Sequence, residues 1–210
     1  KQPIEPGDVC WADLNNDGVI NNLDRVKVGN LFPTVTGGFS TTLGYKDFSL
    51  YARFDYALGH TLYNDLAARS LGQYQGSFNI IDMVKDSWSE TNQNTDIPKF
   101  YYADQLSKKN ITRSNNGLTA VDNNSSRFYE KGDYLALREI TLTWNLPKKW
   151  INKALMSNAS VYVTGQNLFY ITGYTGVSPE PAVDTTYGQG LDNGRYPTPK
   201  TVLLGLSVTF

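Results

Sequence analysis

The stretch "FSLYARFDYAL" (residues 48–58) alternates without a break. Phe48, Leu50, Ala52, Phe54, Tyr56 and Leu58 fall on one side of an extended chain. Ser49, Tyr51, Arg53, Asp55 and Ala57 fall on the other, because successive strand side chains point to opposite faces. One face is wholly apolar and the other carries charge. Just upstream, "TGGFSTTLGY" (36–45) does the same, with Phe39, Thr41, Leu43 and Tyr45 on one face. Only Lys46 and Asp47 separate the two runs, so residues 36–58 read as a hairpin with a tight turn.

The same period returns downstream. "RFYEKGDYLALREITLTWNL" (127–146) places Tyr134, Ala136, Arg138, Ile140, Leu142, Trp144 and Leu146 on one face, apolar at its far end, with Arg138 and the residues before it outside that band. "ASVYVTGQNLFYI" (159–171) is a further strand. "TVLLGLSVTF" (201–210) alternates Val202, Leu204, Leu206, Val208 and Phe210. Between strands, 59–126 loses the pattern apart from a helix-like piece at 81–88. Residues 147–158 break the strand and allow a helical turn, and 172–200 are rich in Gly, Pro and Tyr. Each strand has roughly the ~9–11 residues that cross a bilayer when tilted, and the 127–146 strand is long enough to protrude.

Alternation alone fits either a lipid-facing barrel wall or a soluble antiparallel sandwich with the apolar faces inside. Loop lengths separate the two. The connections run short (46–47), long (59–126), short (147–158), long (172–200), the rhythm of short periplasmic turns and long outer loops. With the last strand running downward, 1–35, 59–126 and 172–200 fall on the extracellular side. The expected fold is therefore all-β, the C-terminal antiparallel strands of a large transmembrane β-barrel, with 201–210 as the closing strand.

Composition narrows the function. The 210 residues include 14 Tyr, 9 Phe and 4 Trp, with a formal net charge of −1. That balance argues against a nucleic-acid binder, which shows a basic face. The single Cys, Cys10, permits no internal disulfide. No apolar run approaches the ~20 residues of a membrane-spanning helix. The opening "KQPIEPGDVC" has no apolar signal core, so the sequence reads as starting inside a longer protein or at a mature domain boundary.

"DLNNDGVINNLD" (13–24) has the grammar of a calcium loop. Asp13, Asn15 and Asp17 take positions 1, 3 and 5, Gly18 permits the sharp turn, and Val19 offers its carbonyl. Asn21 can act through water, and Asp24 stands where a bidentate Glu is usual. There is one copy and no convincing exiting helix, so a structural Ca2+ fits better than a sensor. The metal-free alternative is a loop whose Asx side chains cap their own backbone.

The strand motifs together resemble the C-terminal part of the SusC/RagA-type TonB-dependent outer-membrane transporters. The matching residues are "PGD" (6–8), "DLNNDGVINNLDR" (13–25), "VGN" (28–30), "SSRFYEKGDYLALREITLTWNLP" (125–147), "VYVTGQNLFYIT" (161–172), "YPTPK" (196–200) and the strand closing on Phe210. Leu31 departs from the family's Gly-Asn-Pro-x-Pro pattern, while Pro33 keeps it. Residues 65–120 carry little of the resemblance. What it implies is a barrel of about 22 strands with a plug in the bacterial outer membrane. Such a barrel imports oligosaccharides or peptides beneath a SusD-like lipoprotein, driven by a TonB energy complex that engages a part of the protein absent from this chain. A terminal aromatic strand also resembles the signal by which barrel-assembly machinery recognises its clients, with Phe210 carrying it.

No catalytic constellation is apparent. His60 is the only His, placed where a loop begins, and reads as a surface or interface residue. Asp82, Glu90 and Asp96 lie in a polar loop without fixed spacing. Better functional candidates are the polar strand positions Tyr51, Arg53, Asp55, Tyr162 and Gln166, which can line a transport path in the lumen. Loop aromatics Trp88, Tyr101, Tyr102, Tyr174, Tyr187 and Tyr196 could meet substrate or lid. The rival reading is a secreted, calcium-stabilised β-sandwich of the carbohydrate-binding kind. A calcium-dependent docking module accounts for only the twelve residues of the loop.

Overall fold

The structure is a computed structural model and describes residues 5–68, 70–71, 81–101, 125–180 and 190–210. They divide into two compact units. One draws on ranges 30–60, 131–181 and 195–210, the other on 1–29, 61–130 and 182–194.

The first unit is built on a five-stranded antiparallel sheet. Its strands are β1 (Val35–Tyr45), β2 (Phe48–Leu58), β5 (Tyr134–Asn145), β6 (Asn158–Thr172) and β8 (Thr201–Thr209), in that spatial order. β1 and β2 pair from Val35↔Leu58 to Tyr45↔Phe48, so the loop is Lys46–Asp47 alone. Lys46 takes φ 54°, the left-handed conformation that two-residue hairpin loops demand. The β5–β6 connection holds a helical turn, α2 (Lys148–Ile151), followed by a 3-10 turn (Asn152–Ala154).

Pairing carries the two faces of the hairpin across the sheet. Phe48, Leu50 and Ala52 stand beside Trp144, Leu142 and Ile140. These in turn stand beside Val161, Val163 and Gly165, then Leu206, Leu204 and Val202. The apolar face is uncovered: Phe39 is 53% exposed, Leu43 61% and Leu204 80%. Stacking of Phe39 on Phe54 and of Phe48 on Trp144 runs along it.

Two expectations for 127–146 are corrected here. The segment is not one protruding strand. A 3-10 turn (Ser126–Phe128) leads into β4 (Tyr129–Lys131), the chain breaks at Gly132–Asp133, and only then does β5 begin. Gly132 packs so tightly on the His60 ring that an added Cβ would stand 2.2 Å from Nε2. The Gly59 amide donates to Asp133 Oδ1 at 2.6 Å.

The face assignment also fails above Glu139. The pairing shifts between Arg53 and Phe54 and between Leu137 and Glu139, so Arg138 has no cross-strand partner in the register. One extra residue reverses strand parity. Leu135 and Leu137 thereby join Tyr56, Phe54, Ile171 and Phe169 on the apolar side. Tyr134 and Ala136 join Ala57, Asp55, Thr172 and Tyr170 on the polar side.

The second unit contains structure that the weak pattern of 59–126 does not announce. β3 (Thr61–Asn64) pairs in parallel with β7 (Leu191–Asp192), and β4 flanks β3 on its other side. The short helix α1 (Asp65–Ala68) follows β3. Ala68, Leu71 and Phe128 form a buried cluster with Tyr63, Ala67 and Val84 against it. The helix-like piece at 81–88 is a 3-10 helix, Asp82–Asp86.

Candidate functional site on the polar face of the sheet

The polar face gathers the strand residues singled out from the sequence. Tyr51 stands between Thr42 and Thr141, and Arg53 between Ser40 and Glu139. Gln166 stands between Glu139 and Thr201. Tyr162 lies over Gly205: an added Cβ there would meet its ring at 2.1 Å. The glycine leaves room for a flat aromatic on an otherwise filled row. Thr141 and Thr164 hydroxyls are joined at 2.8 Å, and Thr141 donates to Glu139 Oε1 at 3.3 Å. This face is hydrogen-bonded laterally, strand to strand.

Asp55 belongs to a tighter network centred on Arg138, which the alternation set on the side of Ile140, Leu142 and Trp144 but outside their apolar band. The bulge turns Arg138 to the polar side, where its side chain is 16% exposed. Nε donates to Asp55 Oδ2 at 2.9 Å, Nη2 pairs with Glu180 Oε1 at 2.5 Å, and Nη1 donates to the Tyr170 hydroxyl at 3.3 Å. Tyr170 in turn donates to Glu180 Oε1 at 2.8 Å. The guanidinium also lies 5.7 Å from the centroid of the Tyr170 ring, and Tyr134 meets that ring edge-on. A planar fork satisfied on three sides holds one geometry, which a lysine could not. One cation serves two carboxylates, so the network keeps a net negative character.

His60 lies beside this network and is buried, with 1% exposure. The expectation of a surface or interface residue is therefore corrected. Its Nε2 stands 2.9 Å from the Pro179 carbonyl, which can only accept, so Nε2 carries the proton. Nδ1 is buried with no hydrogen-bond partner, and the ring meets Tyr134 edge-on. Pro179 and Glu180 are thus held from two directions, by His60 and by Arg138. Neither role was legible in the sequence. The available signal was one Arg inside the apolar alternation "YLALREITLTW".

The calcium-type loop is closed by its own backbone. Asp13 Oδ2 accepts from the Gly18 amide at 2.7 Å, and Asp17 Oδ1 from Val19 at 2.8 Å. Asn15 Oδ1 accepts from the Asp17 amide at 3.0 Å. Asp24 spans the loop, accepting from Leu14 at 2.9 Å and from Asn21 at 2.7 Å. The Asn21 amide, then that of Leu14, holds the Asp24 carboxyl below the usual carboxylate range. Gly18 takes φ 76° at the sharp turn. Among the described residues no three His, Cys, Asp or Glu side chains converge on one metal position. The carboxylate oxygens retain free lone pairs, so the donor chemistry suits a hard cation, as it also suits self-capping.

The loop aromatics divide. Tyr101 is buried with its hydroxyl bonded to Asp8 at 2.5 Å, and Tyr174 is buried as well, so neither is an exposed platform. Trp88 packs against Gly7, and Tyr196 is fully exposed. Tyr102 and Tyr187 lie outside the described residues. Phe210 is 86% exposed at the end of β8.

No family model matches the chain. Individual relatives do. TonB-dependent receptor P3 of Formosa agariphila is 32% identical over 212 residues, covering 98% of this chain and 19% of the relative. TonB-dependent receptor SusC of Bacteroides thetaiotaomicron is 26% identical over 211 residues, covering 100% of this chain and 18% of the relative. Among solved structures, the RagAB peptide transporter matches with TM-score 0.65 and 26% identity, over 86% of this chain and 17% of the matched one. The RagAB peptide importer in its closed-closed state matches with TM-score 0.67 and 25% identity, over 98% and 20%. The chain spans about a fifth of the length of these relatives. An antiparallel sheet with one bare apolar face and one polar face, in a chain alike along its whole length to these receptors, leads to one conclusion: it belongs to the SusC/RagA type of TonB-dependent outer-membrane transporter and supplies a five-stranded piece of its transmembrane barrel.

Proposed function

We propose that this segment forms C-terminal wall and outer loops of an importer of oligosaccharides or peptides. A SusD-like lipoprotein closes it from outside, and TonB drives it through parts of the protein beyond this chain. The observation that carries the proposal is the division of the sheet into an uncovered apolar face and a laterally bonded polar face. The first suits lipid and the second a water-filled lumen. Tyr51, Arg53, Asp55, Tyr162 and Gln166 then face the transport path, and Arg138 with His60 fixes Pro179–Glu180 beside it.

On this reading the turns 46–47 and 147–158 lie in the periplasm, and 1–35, 59–126 and 172–200 outside. Phe210 ends the strand read by the assembly machinery. The 13–24 loop, on the calcium-rich side, takes a structural Ca2+ that stiffens an outer loop. A calcium-stabilised sandwich would bury the apolar face under a second sheet, so the exposures of Phe39, Leu43 and Leu204 favour the barrel.

The test uses the full-length transporter. In detergent it should give a heat-modifiable band on gels. Cells carrying it with its lipoprotein should take up labelled oligosaccharide or labelled peptide, and lose uptake when the TonB complex is inactive. A full-length protein that is freely soluble without detergent, or uptake indifferent to TonB, would refute the proposal.

A further inference from the structure

The end of the sheet that carries the two short turns differs chemically from the rest of the apolar face. Tyr45, Phe48 and Trp144 form a row across β1, β2 and β5, fixed by the pairs Tyr45↔Phe48 and Phe48↔Trp144. Trp150, in α2, extends the row by meeting Trp144 edge-on at 5.9 Å. Leu155, in the same connection as Trp150, takes the left-handed conformation and is 88% exposed. The two short turns that carry the ends of this row hold Lys46, Lys148, Lys149 and Lys153, all exposed. Among the described residues none of the four lysines makes an ion pair. Lys46 reaches only the Tyr45 ring, 5.3 Å to its centroid. Residues 45–47 and 145–158 contain one carboxylate, Asp47, against these four cations.

A solvated turn needs neither exposed tryptophan and leucine nor an uncompensated cluster of one sign. Each has a use where hydrocarbon meets phosphate. Aromatic rings settle at the interface, and lysines lay their stems on apolar surface while the ammonium reaches the headgroups. The strand lengths put this rim at that depth. Eleven residues at about 3.3 Å, tilted about 40°, rise about 28 Å, close to the ~25 Å apolar band of such barrels. We propose that the rim bearing Lys46, Lys148, Lys149 and Lys153 binds the phosphate headgroups of the anionic glycerophospholipid leaflet on the short-turn side. This rests on the barrel reading above. It adds which lipid chemistry one rim selects, and which residues select it.

The full-length transporter in lipid nanodiscs tests it through Trp150 fluorescence, taken as the difference between wild type and Trp150→Phe. Brominated phosphatidylglycerol should quench about twofold more strongly than brominated phosphatidylcholine at equal content. The preference should vanish in K46Q/K148Q/K149Q/K153Q, while quenching by the zwitterionic lipid persists. High salt should weaken it in the wild type, a control independent of the variant's folding. Equal quenching by the two lipids overturns the headgroup proposal and leaves the barrel standing. Quenching by neither removes the barrel reading as well. A stronger competing effect of lipid A would assign the rim to the opposite leaflet and overturn the proposal.

Discussion

Replacing Arg138 by Met should release the Pro179–Glu180 stretch without unfolding the sheet. Met fills the space of the stem but leaves Asp55 and Glu180 without their shared cation and Tyr170 without a donor. Breaking a fully buried pair costs about 3–5 kcal/mol, and an exposed one about 0.2–1. Arg138 is largely buried at 16% side-chain exposure, whereas Asp55 and Glu180 are 43% and 32% exposed, so water screens the loss. A value near the middle, about 2 kcal/mol, follows. That shifts local opening about 30-fold. Hydrogen exchange in the full-length transporter should show it in peptides covering 173–180, while the hairpin 35–58 stays protected. Glu180→Gln keeps an acceptor for Tyr170 and should cost less. In that background Arg138→Met should cost less than in the wild type, because the two changes remove one interaction. Unchanged exchange in Arg138→Met, or strict additivity of the pair, would refute the view that the network pins this stretch.

Gly205→Ala should displace Tyr162, because its Cβ would stand 2.1 Å from the ring; overpacking of about 1–3 kcal/mol should lower the urea midpoint of the reconstituted barrel. Asp24 gives an acid dependence of known sign. Its folded pKa lies below the ordinary 3.8, so its contribution is complete above that value and is lost as pH falls through the lower folded value. Amide exchange at Leu14 and Asn21 should therefore rise only below about pH 4 in the wild type, and be insensitive to that range in Asp24→Asn. Calcium should raise the thermal stability of the outer loops in the wild type but not in Asp13→Ala with Asp17→Ala; equal melting in calcium and in chelator would remove the metal from the loop.

Much of the wall was legible in the chain itself. Alternation over 36–45, 48–58 and 201–210 placed those strands and named their apolar faces, and it placed 159–171 as a strand, because a strand's side-chain period is a local property of the backbone. The hairpin loop at Lys46–Asp47 and the sharp turn at Gly18 were readable for the same reason. The candidate site was legible only as a set of polar positions. The partner of Arg138 on β2 is Asp55, and its partner beyond β6 is Glu180, pairings that no spacing announces.

Tertiary structure decided the rest. A period of two is exact only while pairing stays in register. The extra residue at Arg138 therefore sent Tyr134 and Ala136 to the polar face and made a half-buried clasp from an arginine that the alternation set on the other face, outside its apolar band. The chain leaves β4 for β5 at Gly132, where glycine permits the close approach of the His60 ring. That same approach buries a histidine that its sequence neighbours placed at a surface. Period, turn chemistry and face are written residue by residue. Register, bulge and burial depend on which distant strand comes alongside, and the fold supplies them.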